Sequence, residues 1–194
     1  MKTKLVLMVI LTSFFIFVGC SDNEDDVQES GLVTNLSKSS TNFEKSSAID
    51  NQFPQAQDEV LKTFGAIAQS ITAGAGNGAN SMYMDQLISF HAYGPKFTEF
   101  NDGQAFDSAG NEANERTFFG EIVDPGGVVQ FAPMEGSLKV AVYYGNVANL
   151  TFISDFHLMI NGELHIVNNL ISLLFVKVKG EWKMVHEHHS PFNE

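Results

Sequence analysis

Thiols are almost missing from this sequence: its 194 residues include a single cysteine, Cys20. One cysteine excludes an intramolecular disulfide and a thiolate metal centre, and after residue 20 no thiol is left to act as a nucleophile. Positive charge is also scarce. Eleven Lys and Arg stand against 23 Asp and Glu, a formal charge of −12, and no basic run offsets the balance. Such a chain repels phosphate backbones and anionic headgroups, which argues against nucleic-acid binding. Long apolar runs are absent as well. The longest, Leu5–Val18, falls short of the about 20 residues a membrane-spanning helix needs. Apolar material as such is plentiful: hydrophobic residues make up 44% and include 17 Phe. That is enough for a core, and the length suits one domain plus an appendage.

The N-terminus reads as an address. Met1-Lys2-Thr3-Lys4 is basic, Leu5–Val18 is apolar, and no acid occurs before Asp22, the order of a secretion signal. Phe17-Val18-Gly19-Cys20 resembles the lipobox of bacterial lipoproteins. The resemblance implies cleavage after residue 19 and lipid attachment at Cys20, hence a membrane anchor; an ordinary signal peptide with an accidental cysteine is the alternative. Several acyl chains, at about 0.8 kcal/mol per buried methylene, hold firmly. Loss of the leader removes Lys2 and Lys4 and makes the chain more acidic still. Ser21-Asp22-Asn23-Glu24-Asp25-Asp26 looks like the acidic tag that sends some Bacteroidota lipoproteins to the outer face of the outer membrane; a solvated start to a tether fits equally. The expected location is the bacterial cell envelope, at the outer membrane and surface-exposed if the tag acts. Residues 20–52 are rich in Ser, Asn and acids and read as a flexible tether, with a coil reach on the order of 30 Å.

The domain is expected over residues 53–194. Pro54 suits a first helical turn, and Asp58 and Glu59 complement the helix dipole. Val60, Leu61, Phe64, Ile67, Ala68 and Ile71 then repeat at helical spacing until Gly74, Gly76 and Gly78. No strand precedes these glycines and no Lys-Ser/Thr follows, so they read as a turn and not a phosphate loop. A second helix runs from an Ser81 cap to about Phe90, Lys96–Asn101 could be a strand, and a third helix spans Asn111 to about Ile122. From Leu138 onward the pattern is β. Asn161-Gly162 and Lys179-Gly180 mark tight hairpins between Leu150–Ile160, Glu163–Val178 and Glu181–Ser190. Helices followed by a strand meander mean an α+β fold, a curved antiparallel sheet with helices on one face.

Unbroken alternation through both hairpins predicts which side chains share the inner face. Phe152, Phe156, Leu158, Ile171, Leu173, Phe175, Trp182 and Met184 form it, with Ser154, Asn169, His186, His188 and Ser190 as its polar end. Asp155, Glu187 and His189 fall outside. Two readings of His186 and His188 stand: a pocket pair at the polar end of an apolar cavity, or core histidines satisfied by neighbours. Trp182 is core or pocket floor; His91 and Tyr83 approach from the helices. Only His186 and His188 can converge, so neither a metal site nor a cofactor is expected.

The segment Gly180-Glu181-Trp182-Lys183-Met184-Val185-His186-Glu187-His188-His189-Ser190 resembles the last strand of SnoaL-like and ketosteroid-isomerase-like proteins of the nuclear-transport-factor-2-like superfamily. The turn Gly145-Asn146-Val147-Ala148, the strand Ser172–Val178 and the opening helix are similar too. The resemblance implies a cone: a bent sheet wrapped over three helices, open at one end, with homodimerisation through the outer sheet face. Isomerase-type members use an Asp base with a Tyr and a protonated Asp, and that trio has no residue-by-residue counterpart here. Two function classes follow: a module binding a small amphipathic molecule, or a pocket enzyme (isomerase, cyclase or hydrolase type) with a histidine base.

Overall fold

A computed structural model describes residues 52–192. The leader, Cys20 and the tether lie outside the described residues.

The first helix, α1 (Pro54–Gly74), opens on proline and buries the stripe Ala56, Val60, Phe64, Ile67 and Ile71. Glu59 does not serve the helix dipole. Its Oε2 accepts from Lys177 Nζ at 2.5 Å and from Trp182 Nε1 at 3.0 Å, tying the start of α1 to the sheet. Helix α2 (Met82–Ser89) is capped by Ser81, whose Oγ accepts from Met84 N at 3.3 Å. The third helix, α3 (Ser108–Thr117), starts earlier than its apolar pattern suggests, because Asp107 caps it by accepting from Gly110 N at 2.9 Å. It runs on into a π-helical turn, Phe118–Ile122. The glycine loop after α1 latches onto that turn: Gly76 N and Gly78 N donate to Phe119 O and Gly120 O at 2.9 and 2.8 Å. Gly76 holds φ 67°, and a Cβ there would meet Pro125 N at 2.3 Å, so only glycine fits.

Among the described residues eight strands form one sheet: β1 (Thr98–Asn101), β2 (Gln104–Phe106), β3 (Val128–Pro133), β4 (Lys139–Tyr143), β5 (Val147–Ile160), β6 (Glu163–Val167), β7 (Asn169–Val178) and β8 (Glu181–Pro191). Their order is β2-β1-β8-β7-β5-β3. The long β5 is shared: its first half pairs with β4 and β7, its second with β3 and β6. The expected strand from Glu163 to Val178 is thus two strands, broken at Asn168, and β2 and β3 are additions to the sequence reading. All pairings are antiparallel except β1 with β8.

Both expected tight turns are present, with positive φ at Asn161, Gly162, Lys179 and Gly180. Asp124 steadies the first turn by accepting from Asn161 N at 3.0 Å and Gly162 N at 2.8 Å. The space between helices and sheet is aromatic. Phe64 stands edge-on to Phe152 at 5.1 Å, and Phe131 meets Phe156 at 4.8 Å. Rings in such contact add about 0.5–1.5 kcal/mol per pair beyond the area they bury.

Candidate functional site: a buried His-Glu cluster beside a β-bulge

The ladder between β7 and β8 follows the expected register as far as Phe175 opposite Met184. The next pair is Leu174 with His186, leaving Val185 as an extra residue in β8. A bulge of this kind reverses the parity of everything beyond it. His186, His188 and Ser190 therefore stand on the outer face, correcting the inward placement inferred from unbroken alternation. Glu187 and His189 take their place inside. The outer edge of β8 changes partner at the same point. Met184 bonds to the chain before β1, accepting from Ala92 N at 2.7 Å and donating to Phe90 O at 2.8 Å, whereas His186 already lies opposite Thr98 of β1.

His186 is partly exposed, its Nδ1 3.0 Å from Thr98 O and 2.9 Å from Thr98 Oγ1. His188 is exposed against the Phe100 ring. Ser154 is buried, but its hydroxyl is taken up by backbone, accepting from Asn169 N at 2.9 Å and donating to Val167 O at 3.3 Å. Asn169 and Ser190 are half-buried, as is Tyr83 on α2. Trp182 is buried at the far end of β8, bonded to Glu59. Of the residues singled out from sequence, His91 alone joins the buried polar group.

That group gathers where α3, β1, β8 and the loop after α2 meet. Glu187 is 4% exposed, His91 7%, Glu99 1% and Asn111 0%. His91 Nδ1 sits 3.1 Å from Leu87 O, and its Nε2 2.8 Å from Glu187 Oε1. A carbonyl oxygen can only accept, so Nδ1 carries a proton. Burial alone would lower the imidazole's proton affinity, yet the hydrogen bond to Glu187 and the charge of that carboxylate outweigh it and raise His91 above its ordinary range. Burial likewise opposes ionisation of Glu187, but His189 and His91 hold that carboxyl well below the usual range. The pair is an imidazolium and a carboxylate. With both ring nitrogens donating, His91 has no lone pair for base catalysis.

A second chain of hydrogen bonds lies alongside. Tyr93 OH donates to Asn111 Oδ1, Asn111 Nδ2 donates to Glu99 Oε2 at 2.9 Å, and Asn101 Nδ2 donates to Glu99 Oε1 at 3.1 Å. Tyr93 stacks on His91 at 4.9 Å. Its phenol is pushed up by burial and by the charges of Glu115, Glu187, Glu112 and Glu99, so it remains a donor. Glu115, one turn beyond Asn111 on α3, is pushed up to about 8 by burial and by the like charges of Glu187 and Glu99, against the pull of His91.

His189 connects this cluster to the surface. Its Nε2 is buried 3.5 Å from Glu187 Oε2, and the residue borders a cleft of about 330 Å³ between the β1–β2 turn and the end of β8, with Phe100, Asp102, Gly103, His188 and Ser190. Another cleft, about 430 Å³, lies at the start of α1 by Phe53, Glu59 and Lys177. Neither opens between the helices and the sheet. Among the described residues, no group of three or more His, Cys, Asp or Glu is placed to hold a metal ion.

The model of the SnoaL-like domain family matches residues 79–194, more than half of the sequence and the whole of this cluster. The chain belongs to the SnoaL-like domain family. Solved structures agree on the fold. This SnoaL-like domain superposes on a nuclear-transport-factor-2-like superfamily protein from Salmonella enterica serovar Typhimurium with TM-score 0.58 at 16% identity, covering 72% of this chain and 93% of the other. A nuclear-transport-factor-2-like protein from Cytophaga hutchinsonii gives 0.53 at 7% identity, covering 70% and 97%. The association domain of C. elegans CaMKII gives 0.54 at 15%, covering 73% and 99%. At these identities the likeness is one of fold: three helices against a strongly curved sheet. No curated protein matches the chain.

Two signals for the cluster were present in the sequence. Phe97 and Glu99 share strand parity, and Asn111 and Glu115 share one face of a helix that offers little apolar surface.

Proposed function

We propose that this SnoaL-like domain is the ligand-binding part of a lipid-anchored envelope protein, and that it holds a small amphipathic molecule with the molecule's polar end at the His91–Glu187–His189 cluster. The observation that carries the reading is His189, which lines the cleft and approaches the buried carboxylate of Glu187. At about 330 Å³ the cleft is near the lower limit for small-molecule sites. Three glutamates and two histidines supply the polar end, with no Lys or Arg among them. They favour a ligand headgroup that is cationic or donates hydrogen bonds, and disfavour an anionic one. A pocket enzyme is the second reading. It is favoured by the Glu187–His189 pairing, in which a carboxylate would orient an imidazole beside the cleft.

Thermal-shift screening of cationic and neutral amphiphiles tests the binding reading. A ligand at 100-fold excess over its Kd adds about 2.7 kcal/mol, a rise on the order of 10 °C for a domain of this size. His189→Gln should lose most of that rise while melting like the parent without ligand. A full ligand-induced rise in the variant would remove His189 from the site, and no response to any such compound would sink the reading.

The outer sheet face, with Phe100 and Leu170 each 47% exposed, is the surface proposed for pairing with a second copy. Cys20→Ser separates anchor from assembly. The variant should lose labelling by an alkyne fatty acid, leave the membrane fraction, and sediment as a dimer without detergent. Retained labelling refutes the lipid site, and a monomer mass refutes the dimer.

A further inference from the structure

Tyr144 sits where its backbone conformation does not suit it. With Gly145 it closes the turn between β4 and β5 at φ 53° and 71°. The same position is held by Asp102, Asn161 and Lys179 in other tight turns, polar residues all. A bulky aromatic is strained at positive φ. Its side chain recovers nothing from packing, being 87% exposed, and Tyr143 beside it is 51% exposed. Neither the turn nor the core gains from these rings.

The β4–β5 turn stands at the end of the domain where the chain enters. Lys177 N donates to Asn146 O at 2.8 Å. That bond sets the β7–β8 turn alongside, with Val178 and Lys179 both exposed. Phe53 covers Gly145, where a Cβ would lie 3.4 Å from its ring. Glu59 accepts from Lys177 and Trp182, so the start of α1 is fastened to the same end. The sequence leading from Cys20 therefore joins the domain beside the two tyrosines. The acidity of the chain is also offset here: Lys177, Lys179 and Lys183 stand against Asp58, Glu59 and Glu181.

We propose that this end of the domain is its membrane-facing surface, with Tyr143 and Tyr144 seated in the headgroup layer of the bilayer that holds the lipid on Cys20. This rests on the lipid-anchor reading above and adds an orientation to it. Tyrosine suits that layer because its ring is apolar while its hydroxyl stays hydrated. Lys179 extends its amine towards lipid phosphates from the neighbouring turn. Two rings bind weakly by themselves, but a tether makes the contact intramolecular. The cleft bordered by His189 lies at the other end of β8, roughly 30 Å away, and is thereby presented to the medium.

Spin labelling of the full lipidated chain in vesicles of phosphatidylethanolamine and phosphatidylglycerol tests the orientation. Cys20 is the one cysteine and its thiol is taken by the lipid, so a cysteine introduced elsewhere is labelled alone. A nitroxide at Asn146→Cys, exposed beside the tyrosines, should meet a water-soluble nickel chelate severalfold less often than one at Leu164→Cys. Leu164 is 55% exposed near the opposite end of β5. Tyr143→Thr with Tyr144→Asn should raise nickel collision at position 146 to the level at position 164. The melting temperature should stay close to the parent's, because asparagine suits such a turn.

Equal nickel collision at the two positions in a vesicle-bound chain overturns the proposal, as does shielding that survives the loss of both tyrosines. Shielding with dipolar broadening between labels overturns it too, by placing a second copy over this end. A chain that carries no lipid and does not float with the vesicles refutes the anchor, and the orientation with it; mass spectrometry tells that failure from the others.

Discussion

Replacing Glu187 by alanine should destabilise the domain by about 3–5 kcal/mol, the range for breaking a buried ion pair. The substitution strands the His91 imidazolium, 7% exposed, with an Nε2–H and no carboxylate to receive it. The melting temperature should fall on the order of 10 °C. Replacing both partners, Glu187→Leu with His91→Phe, should recover most of the loss, because an apolar pair of similar volume in place of a buried ion pair is close to neutral. The pH dependence gives a further signature. The depressed carboxyl of Glu187 contributes stability that is present above its ordinary value of 4.5 and lost as pH falls. The raised imidazole of His91 contributes stability that is present below 6.5 and lost as pH rises through its folded value. The pair's contribution should therefore be greatest between these limits and be lost in Glu187→Ala, superimposed on the fall in stability above pH 4.5 that the raised Glu115 carboxyl imposes. A melting shift under about 2 °C would show that the pair contributes little.

The second large effect is expected in the aromatic interior. Phe152 is 4% exposed and touches Phe64 at 5.1 Å and Phe131 at 6.5 Å. Phe152→Ala should cost about 3–5 kcal/mol, read from denaturant unfolding, because the rings around it are held by their own neighbours and cannot close the gap. The cavity left behind is lined by rings and should stay dry, so benzene should bind there and restore part of the loss. A cost below about 1 kcal/mol would mean that the interior is loosely filled, and would reopen the expectation of an apolar pocket between helices and sheet.

Most of the fold was legible because its signals are local. Proline at the start of α1, the Ser81 cap and the two turns after Ile160 and Val178 each act within a few residues, and the register they impose correctly paired Phe152 with Ile171. The polar end was misassigned for one physical reason. Val185 has neither a glycine nor a proline beside it, and nothing in its chemistry announces a bulge. The bulge arises from non-local pairing, as β8 passes from the Phe90–Ala92 segment to β1. One extra residue there was enough to exchange His186 and His188 for Glu187 and His189. The break at Asn168 escaped notice for the same kind of reason: it follows from β5 having more than two partners, a property of the sheet. Strand β3, Val128–Pro133, is short and has no alternation of apolar and polar residues to announce it.

The parallel pairing of β1 with β8 also bears on the folding pathway. His91 and Glu187 are 96 residues apart in sequence, and Thr98 and His186 are 88 apart, whereas the hairpins from β5 to β8 close over short turns. Contacts that span such separations pay their loop entropy before any reward, so they form after the local ones. The meander should act as the nucleus, with the His-Glu cluster assembling on the downhill side of the barrier. Substitutions at Glu187 should then leave the refolding rate nearly unchanged and appear as faster unfolding, which makes this ion pair a determinant of how long the native state lasts once it has formed.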